Sequence, residues 1–516
     1  PAIALDPDVH AINQSRLRLY LPALPIVALA FLPVVVLVVL ASGEPLSFGA
    51  RNWRIFGNTV ALTALTVGGA VLIGVPLAFA TTCLRFRGAG VALAALAAPL
   101  AVPSYIGAFA YFAATGRGGE LESILGFAPP EVRGLFGTAW VMTLYTFPFV
   151  LLSVRASLRR LDAGLVEAAR TMGLSPLGAF LHVILPRIRG GLAAGALLVA
   201  LYTLSDFATP AILGLDTFTR AIYVEYNAFG LSQAAWFSLQ LLGLVAVILF
   251  FESRVRTARE RPGRTLRWTP SLAFASGLWS AVGLIWLSAV GLPLALFLLW
   301  LRREGVSGFD LATLRHSVVP AALAAVFAVL CALPLARAAS AGRIGRWMLR
   351  LTSFGFGIPG IVMGTVLVYV GLRLPFIYQT TAMLVVGYVL RFLPLATGSL
   401  REGLDRIEDN MTHAARSLGA SPGEAFRRVS LPLIFPAALS GAALVFLEAM
   451  RELPLTLLLR PTGSETLTTR LWQVYEAGYF GEAALPGLLL ILASSLAMLL
   501  FLRSERLLGL VAESEA

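Results

Sequence analysis

Four side chains set in apolar surroundings carry the chemistry of this sequence. Asp206 and Glu452 stand 246 positions apart, and so do Tyr202 and Glu448. On helices, Tyr202 and Asp206 share one face, as do Glu448 and Glu452, because each pair is spaced i, i+4. Carboxylates inside long apolar segments are rare and face a cavity or a partner. If the two faces met at a pseudo-twofold axis, their carboxylate and phenol oxygens would suit passage of a hard cation such as Fe³⁺. Arg451, next to Glu452, and Arg391, upstream, offer a different role for the acids, as members of buried ion pairs. Both roles stay open at this level.

Other chemistry is thinly represented. Cys83 and Cys331 lie far apart in apolar runs, which suits burial as small hydrophobes. His10, His182, His316 and His413 are scattered, with no HExxH pair and no nucleophile elbow. The sequence therefore reads as neither an enzyme nor a holder of a stable metal. It contains no lysine, so no phosphate loop of the GxxxxGK[ST] type can form, and any ATP hydrolysis must belong to another chain.

The elements that position these residues are membrane helices. Of 516 residues, 58% are hydrophobic and 13% charged. Apolar runs of roughly the 20 residues needed to cross a bilayer recur throughout. They predict helices near 20–41, 56–83, 91–114, 136–156, 191–213 and 234–252, then 272–301, 313–338, 347–371, 379–400, 437–459 and 484–503. The strict alternation of a membrane β-barrel is missing. Many spans follow the first, which reads as an anchor rather than a cleaved signal. The net charge of +12 comes from arginines in short connections, not from one soluble face. Arg155, Arg159, Arg160, Arg170, Arg187 and Arg189 share one connection, and Arg401, Arg406, Arg416, Arg427 and Arg428 share another. The positive-inside rule makes both cytoplasmic, together with an arginine-rich linker at 253–271 and both termini.

Those two connections repeat each other without a gap. Glu167-Ala168-Ala169, Gly173 and a segment closing on Pro186 recur as His413-Ala414-Ala415, Gly419 and a segment closing on Pro432, again at an offset of 246. Pro148 and Pro394 obey the same offset, whereas Pro76 and Pro334 require a slightly larger one. Six helices separate equivalent points, so the halves run parallel about an axis along the membrane normal. Small alanines permit close helix approach, each glycine turns the chain, and Ser175-Pro176 and Ser421-Pro422 start a second short helix.

This pattern resembles the EAA loop of binding-protein-dependent ABC importer permeases of type I. The resemblance implies an all-α membrane protein of twelve transmembrane helices in two parallel six-helix repeats. The first half would span 1–252, with a coupling loop at about 158–190. The second would span 272–516, with a coupling loop at about 404–436. It further implies that Glu167, Ala168, Ala169, Gly173 and Pro186, with His413, Ala414, Ala415, Gly419 and Pro432, couple the chain to two ATPase subunits that bind ATP and Mg. His413 departs from the family's glutamate. A periplasmic substrate-binding protein and the bacterial inner membrane complete the expected setting.

Glu448 to Pro461, reading EAMRELPLTLLLRP, and the following TLTTRLWQVYEAG most resemble ferric iron permeases. Thiamine and some phosphonate importers share the fused architecture. A twelve-helix secondary transporter is the rival from another class, but Arg85-Phe86-Arg87-Gly88 lacks the signature expected after its second helix. External Arg51, Arg54, Glu120, Glu122, Glu131, Glu225, Arg460, Arg470 and Glu476 are candidates for docking the binding protein, or simply solvated loop charges.

Overall fold

A computed structural model describes residues 20–42, 49–254, 269–306, 309–405 and 409–507. Both chain ends, most of the linker (255–268) and part of the second arginine-rich connection (406–408) lie outside the described residues. All regular elements among those described are helical. Among the described residues, ten helices are long and apolar enough to cross a membrane.

The expected count of twelve is thus not met by unbroken helices, and the reason is local. The run read as one helix over 91–114 is two pieces, Ala89–Ala101 and Ser104–Ala114, bent by 87° around Pro103; taken as one span they raise the count to eleven. The run read over 347–371 divides likewise into Arg343–Gly357 and Gly360–Arg373 around Pro359. A proline removes a backbone donor and turns the preceding residue away from helix. By contrast Pro76, Pro148, Pro334 and Pro394 lie inside continuous helices.

The fifth and eleventh spans also break. Leu185–Ser205 gives way at Asp206 to the short helix Ala208–Ile212, and Leu431–Arg451 gives way at Glu452 to Pro454–Leu459. Both acids adopt extended backbone, with φ/ψ of −75°/122° and −73°/114°.

The chain forms two compact units. One comprises 45–307 with 474–488, and the other 1–44, 308–473 and 489–516. Relative to the sequence repeat, the first helices have exchanged places: Leu24–Ala41 packs with Arg343–Gly357 and Gly360–Arg373, while Leu272–Glu304 packs with the helices at Ala89–Ala97 and Ser104–Ala114. Within Leu272–Glu304, Leu287–Gly291 forms a π-helical turn. Tyr145 donates to the carbonyl of Ala289 at 2.7 Å and Tyr111 to that of Ser288 at 3.1 Å. Those phenols hold the exchanged helix where its own ladder is irregular.

Each unit is centred on three long helices. In the first, Ala50–Cys83, Gly134–Leu158 and Leu185–Ser205 pack together; in the second, Leu311–Ala341, Thr381–Asp405 and Leu431–Arg451 do. Gly195 lets its helix approach so closely that a Cβ would lie 2.7 Å from Val150 Cα. Gly441, 246 positions on, would place one 3.0 Å from Ala396 Cα. Helices surrounded by lipid associate through such close contacts rather than through apolar burial.

Leucine at either site overpacks the seam. Gly195→Leu and Gly441→Leu should each cost about 1–3 kcal/mol, read as a lower thermal unfolding temperature in detergent. Gly243→Leu, where the space is open, should leave it unchanged.

Candidate functional site

The two cytoplasmic-type connections adopt one backbone twice. In the first, Asp162 accepts from Gly164 N at 3.0 Å and caps Ala163–Thr171. That helix ends where Gly173 takes a φ of +90°, and the equivalent Asp409–Ser417 ends where Gly419 takes +89°. A left-handed residue there lets the next N–H reach back: Leu174 N bonds Ala169 O, and Ala420 N bonds Ala415 O, both at 3.1 Å. The paired alanines thus supply the carbonyls that close the turn.

Next, Ser175 accepts from Gly178 N at 3.0 Å, starting Pro176–Ala179. Ser421 accepts from Glu424 N at 3.3 Å, while Glu424 accepts from Ser421 N at 3.1 Å, a reciprocal capping box at the start of Pro422–Ala425. Each short helix runs through a π-helical turn, Phe180–Ile184 or Phe426–Ser430, into a long span that carries Pro186 or Pro432 in its first turn. Glu167 and Ala168 are exposed and Ala169 is buried; Ala414 is exposed and Ala415 half-buried. His413 is helical, and its side chain lies outside the described ones.

At the far end of the same long spans stand the acids. Asp206 Oδ1 accepts from Thr209 N at 3.0 Å, and Oδ2 accepts from Thr209 Oγ1 at 2.7 Å and from Ser104 Oγ at 2.6 Å. Tyr202 joins through its hydroxyl, 3.3 Å from Ser104 Oγ. In the other unit Glu452 Oε1 accepts from Leu455 N at 3.2 Å, and Oε2 lies 3.4 Å from Nε of the buried Arg391. Both carboxylates therefore cap the short helix that follows the break. The carbonyls freed at the break are taken by threonines: Thr219 donates to Asp206 O at 2.9 Å, whereas Glu452 O accepts from Thr456 at 2.5 Å, with Thr468, the equivalent of Thr219, at 3.4 Å.

The sets differ in one compensated exchange. Arg391 occupies the position of Tyr145, again 246 residues on. Gly360, first residue of its helix, occupies that of Ser104. A Cβ on Gly360 would collide with Glu452 Oε1 and lie 2.7 Å from Arg391 Nη1. Loss of the serine's side chain thus makes room for the guanidinium and the longer acid. Glu448 is separate from this contact and pairs with Arg451, whose Nε donates to it at 3.1 Å.

Of the six residues singled out in the spans, the structure gathers Tyr202 with Asp206, Arg391 with Glu452, and Glu448 with Arg451. Sequence reasoning missed Ser104, Thr209, Thr219, Gly360 and Thr468. The signals were present: a proline precedes both Ser104 and Gly360, and Thr217-Phe218-Thr219 recurs as Thr466-Leu467-Thr468. Among the described residues, no group of three or more His, Cys, Asp or Glu is placed to hold a metal ion.

Most candidate docking charges are engaged within their own unit. Arg51 meets Glu225 at 2.6 Å, Arg54 lies 3.8 Å from Asp216, and Glu131 meets Arg133 at 2.8 Å. Glu120 accepts from Trp300 and Arg303, both at 2.8 Å, and Glu122 from Gly118 N at 2.6 Å. Arg470 lies 3.6 Å from Glu465, and Arg460 donates to Ser464 O at 2.9 Å.

A family model described as a binding-protein-dependent transport system inner membrane component matches residues 19–261 and again 324–509. The Fe(3+)-transport system permease protein FbpB 2 of Haemophilus influenzae is 31% identical, over 88% of this chain and 90% of the relative. The ferric transport system permease protein FbpB of Actinobacillus pleuropneumoniae is 23% identical, over 87% and 70% respectively. A putative 2-aminoethylphosphonate transport system permease protein of Salmonella typhi is 26% identical, over 47% of this chain and 98% of its own length.

The two caps should respond differently to neutralisation. Glu452→Gln strands a buried guanidinium and should cost about 3–5 kcal/mol. Asp206→Asn keeps an acceptor oxygen among neutral donors and should cost about 1–2 kcal/mol. Thermal unfolding in detergent checks the order, and a double Arg391→Leu, Glu452→Leu variant should recover part of the first loss.

Proposed function

This chain belongs to the family of binding-protein-dependent transport system inner membrane components, and on that premise we propose that it is the permease of an ATP-driven importer for ferric iron. The observation that carries the substrate is the likeness to a ferric permease along nearly the full length of both chains. The duplicated connection, with its paired left-handed glycines, supports the coupling role.

In this reading the chain spans a bacterial inner membrane twelve times, with both termini in the cytoplasm. The count is reached when each broken pair, Ala89–Ala101 with Ser104–Ala114 and Arg343–Gly357 with Gly360–Arg373, serves as one span. The repeats over 1–252 and 272–516 each offer one coupling loop to a separate ATPase subunit, so two such subunits bind and hydrolyse ATP with Mg. A periplasmic protein delivers the cargo. Ferric iron is cargo in this scheme, and Tyr202 with Asp206 in one unit and Glu448 with Glu452 in the other are the oxygen-bearing positions proposed to line its route. Closure of the ATPases draws the coupling loops together and opens the route outward; hydrolysis returns it inward-facing.

Vesicles containing the chain, its ATPase and the binding protein should accumulate ⁵⁹Fe³⁺ when ATP is supplied. Uptake of 2-aminoethylphosphonate but not iron would overturn the substrate while leaving the family intact. Gly173→Val and Gly419→Val force a β-branched residue into left-handed backbone, a strain of about 1–2 kcal/mol per site. Each should reduce transport by about five- to thirtyfold, the factors for 1 and 2 kcal/mol, with ATP hydrolysis retained. Unchanged transport in both would remove the coupling role.

A further inference from the structure

The two repeats differ at the turn that follows their longest helices. In the first, two exposed arginines, Arg85 and Arg87, lie in the turn itself, and the helix after it, Ala89–Ala97, reads AGVALAALA and carries no charge. In the second, the equivalent Arg343–Gly357 begins RIGRWMLR. Arg343, Arg346 and Arg350 recur at i, i+3 and i+7, which places them on one stripe. All three are exposed, as are Ile344 at 62% and Trp347 at 56%. Arg350 stacks on Trp347 at 5.2 Å. Among the described residues none of the three meets an acidic partner within ion-pair distance.

The opposite stripe fixes how this face is presented. Gly345 and Met348 are buried, and a Cβ on Gly345 would collide with Ala338 O. The helix is therefore folded tightly back on Leu311–Ala341, leaving the arginines outward. A second contact gives the level of the turn: Arg337 stacks on Phe426 of the second cytoplasmic-type connection at 4.3 Å. The first repeat closes the same place with Phe79 against Phe180, at 6.5 Å. The arginine stripe thus stands beside the connection that positive charge assigns to the cytoplasmic face.

We propose that Arg343, Arg346, Trp347 and Arg350 form a docking surface for anionic phospholipid headgroups at the cytoplasmic membrane boundary. Three cations with no acidic partner among the described residues, interleaved with exposed indole and isoleucine, match an interface that is negative outside and apolar beneath. Arginine's planar fork suits a phosphodiester oxygen pair. The location rests on the proposed orientation, but binding itself can be measured without transport and irrespective of which side faces inward.

The full chain, purified in detergent and exposed to equal phosphatidylglycerol and phosphatidylcholine, should retain the anionic lipid preferentially, as counted by native mass spectrometry. A triple Arg343→Gln, Arg346→Gln, Arg350→Gln variant should lose that preference, by up to about fivefold per arginine, and raised salt should weaken it in the wild type. The triple Arg→Lys variant should keep most of it, which separates loss of charge from loss of fold. No preference in the wild type, or an equal preference in the glutamine variant, overturns the proposal. So does loss of ATPase assembly in the glutamine variant with lipid retention unchanged, which would make the face a protein interface.

Discussion

A backbone that stops being helical among apolar neighbours must have its freed N–H and C=O groups satisfied by the chain itself, since lipid offers no partner. This constraint organises both units. Each long span breaks at the same point, and a carboxylate at the break turns forward to bond the N–H three residues on, Thr209 in one case and Leu455 in the other. Threonines further along the chain take the freed carbonyl, Thr219 in one unit and Thr456 with Thr468 in the other. Remove the acid and the short helices Ala208–Ile212 and Pro454–Leu459 lose the group that starts them.

Given that shared requirement, the repeats satisfy their acids by different means. Around Asp206 the donors are hydroxyls and an amide N–H, so the carboxylate is solvated without a counter-ion in its hydrogen-bond shell. Around Glu452 a buried guanidinium supplies the balance, and its room comes from the missing side chain of Gly360. An ion pair shut away from water gains little net stability, yet it is costly to break on one side. Neutral donors bind less strongly but tolerate substitution better. Two halves with one ancestry in sequence pattern thus present unlike electrostatics at equivalent places, which a strictly symmetric reading of the acids would overlook.

The sequence made the spans legible because apolar length is a strong signal, and the two duplicated connections legible because their repeat is gapless. Gly173 and Gly419 were readable as turns, and both adopt positive φ. Breaks inside apolar runs were not readable: Pro103 and Pro359 begin new helices, whereas Pro76 and Pro148 lie within continuous ones, and composition is alike in both cases. Asp206 and Glu452 looked like face-sharing partners of Tyr202 and Glu448, but the helix ends one residue before each acid, so their carboxylates turn forward to cap. Ser104 and Gly360 escaped notice because a length difference between them and the next span shifts them off the common offset. The exchange of first helices is a matter of tertiary packing, which no local pattern encodes.

The link between the two sites follows from helix geometry. Leu185–Ser205 and Leu431–Arg451 each hold 21 residues, a rod of about 32 Å at 1.5 Å per residue. At one end a π-helical turn joins the rod to the short helix of its connection, and at the other the capped break begins. Close packing at Gly195 and Gly441 holds each rod against its neighbour, where a bend would open a void or force a clash. In the proposed coupling role, a shift imposed at the connection would therefore move the whole rod and arrive at the acid as a displacement of its cap. There the chain has extended backbone on which to turn, and the side chains that must give way are Ser104 and Thr209 in one unit and Arg391 in the other. The charged unit resists that rearrangement more than the neutral one, because parting Arg391 from Glu452 exposes two ions where parting Ser104 from Asp206 exposes one.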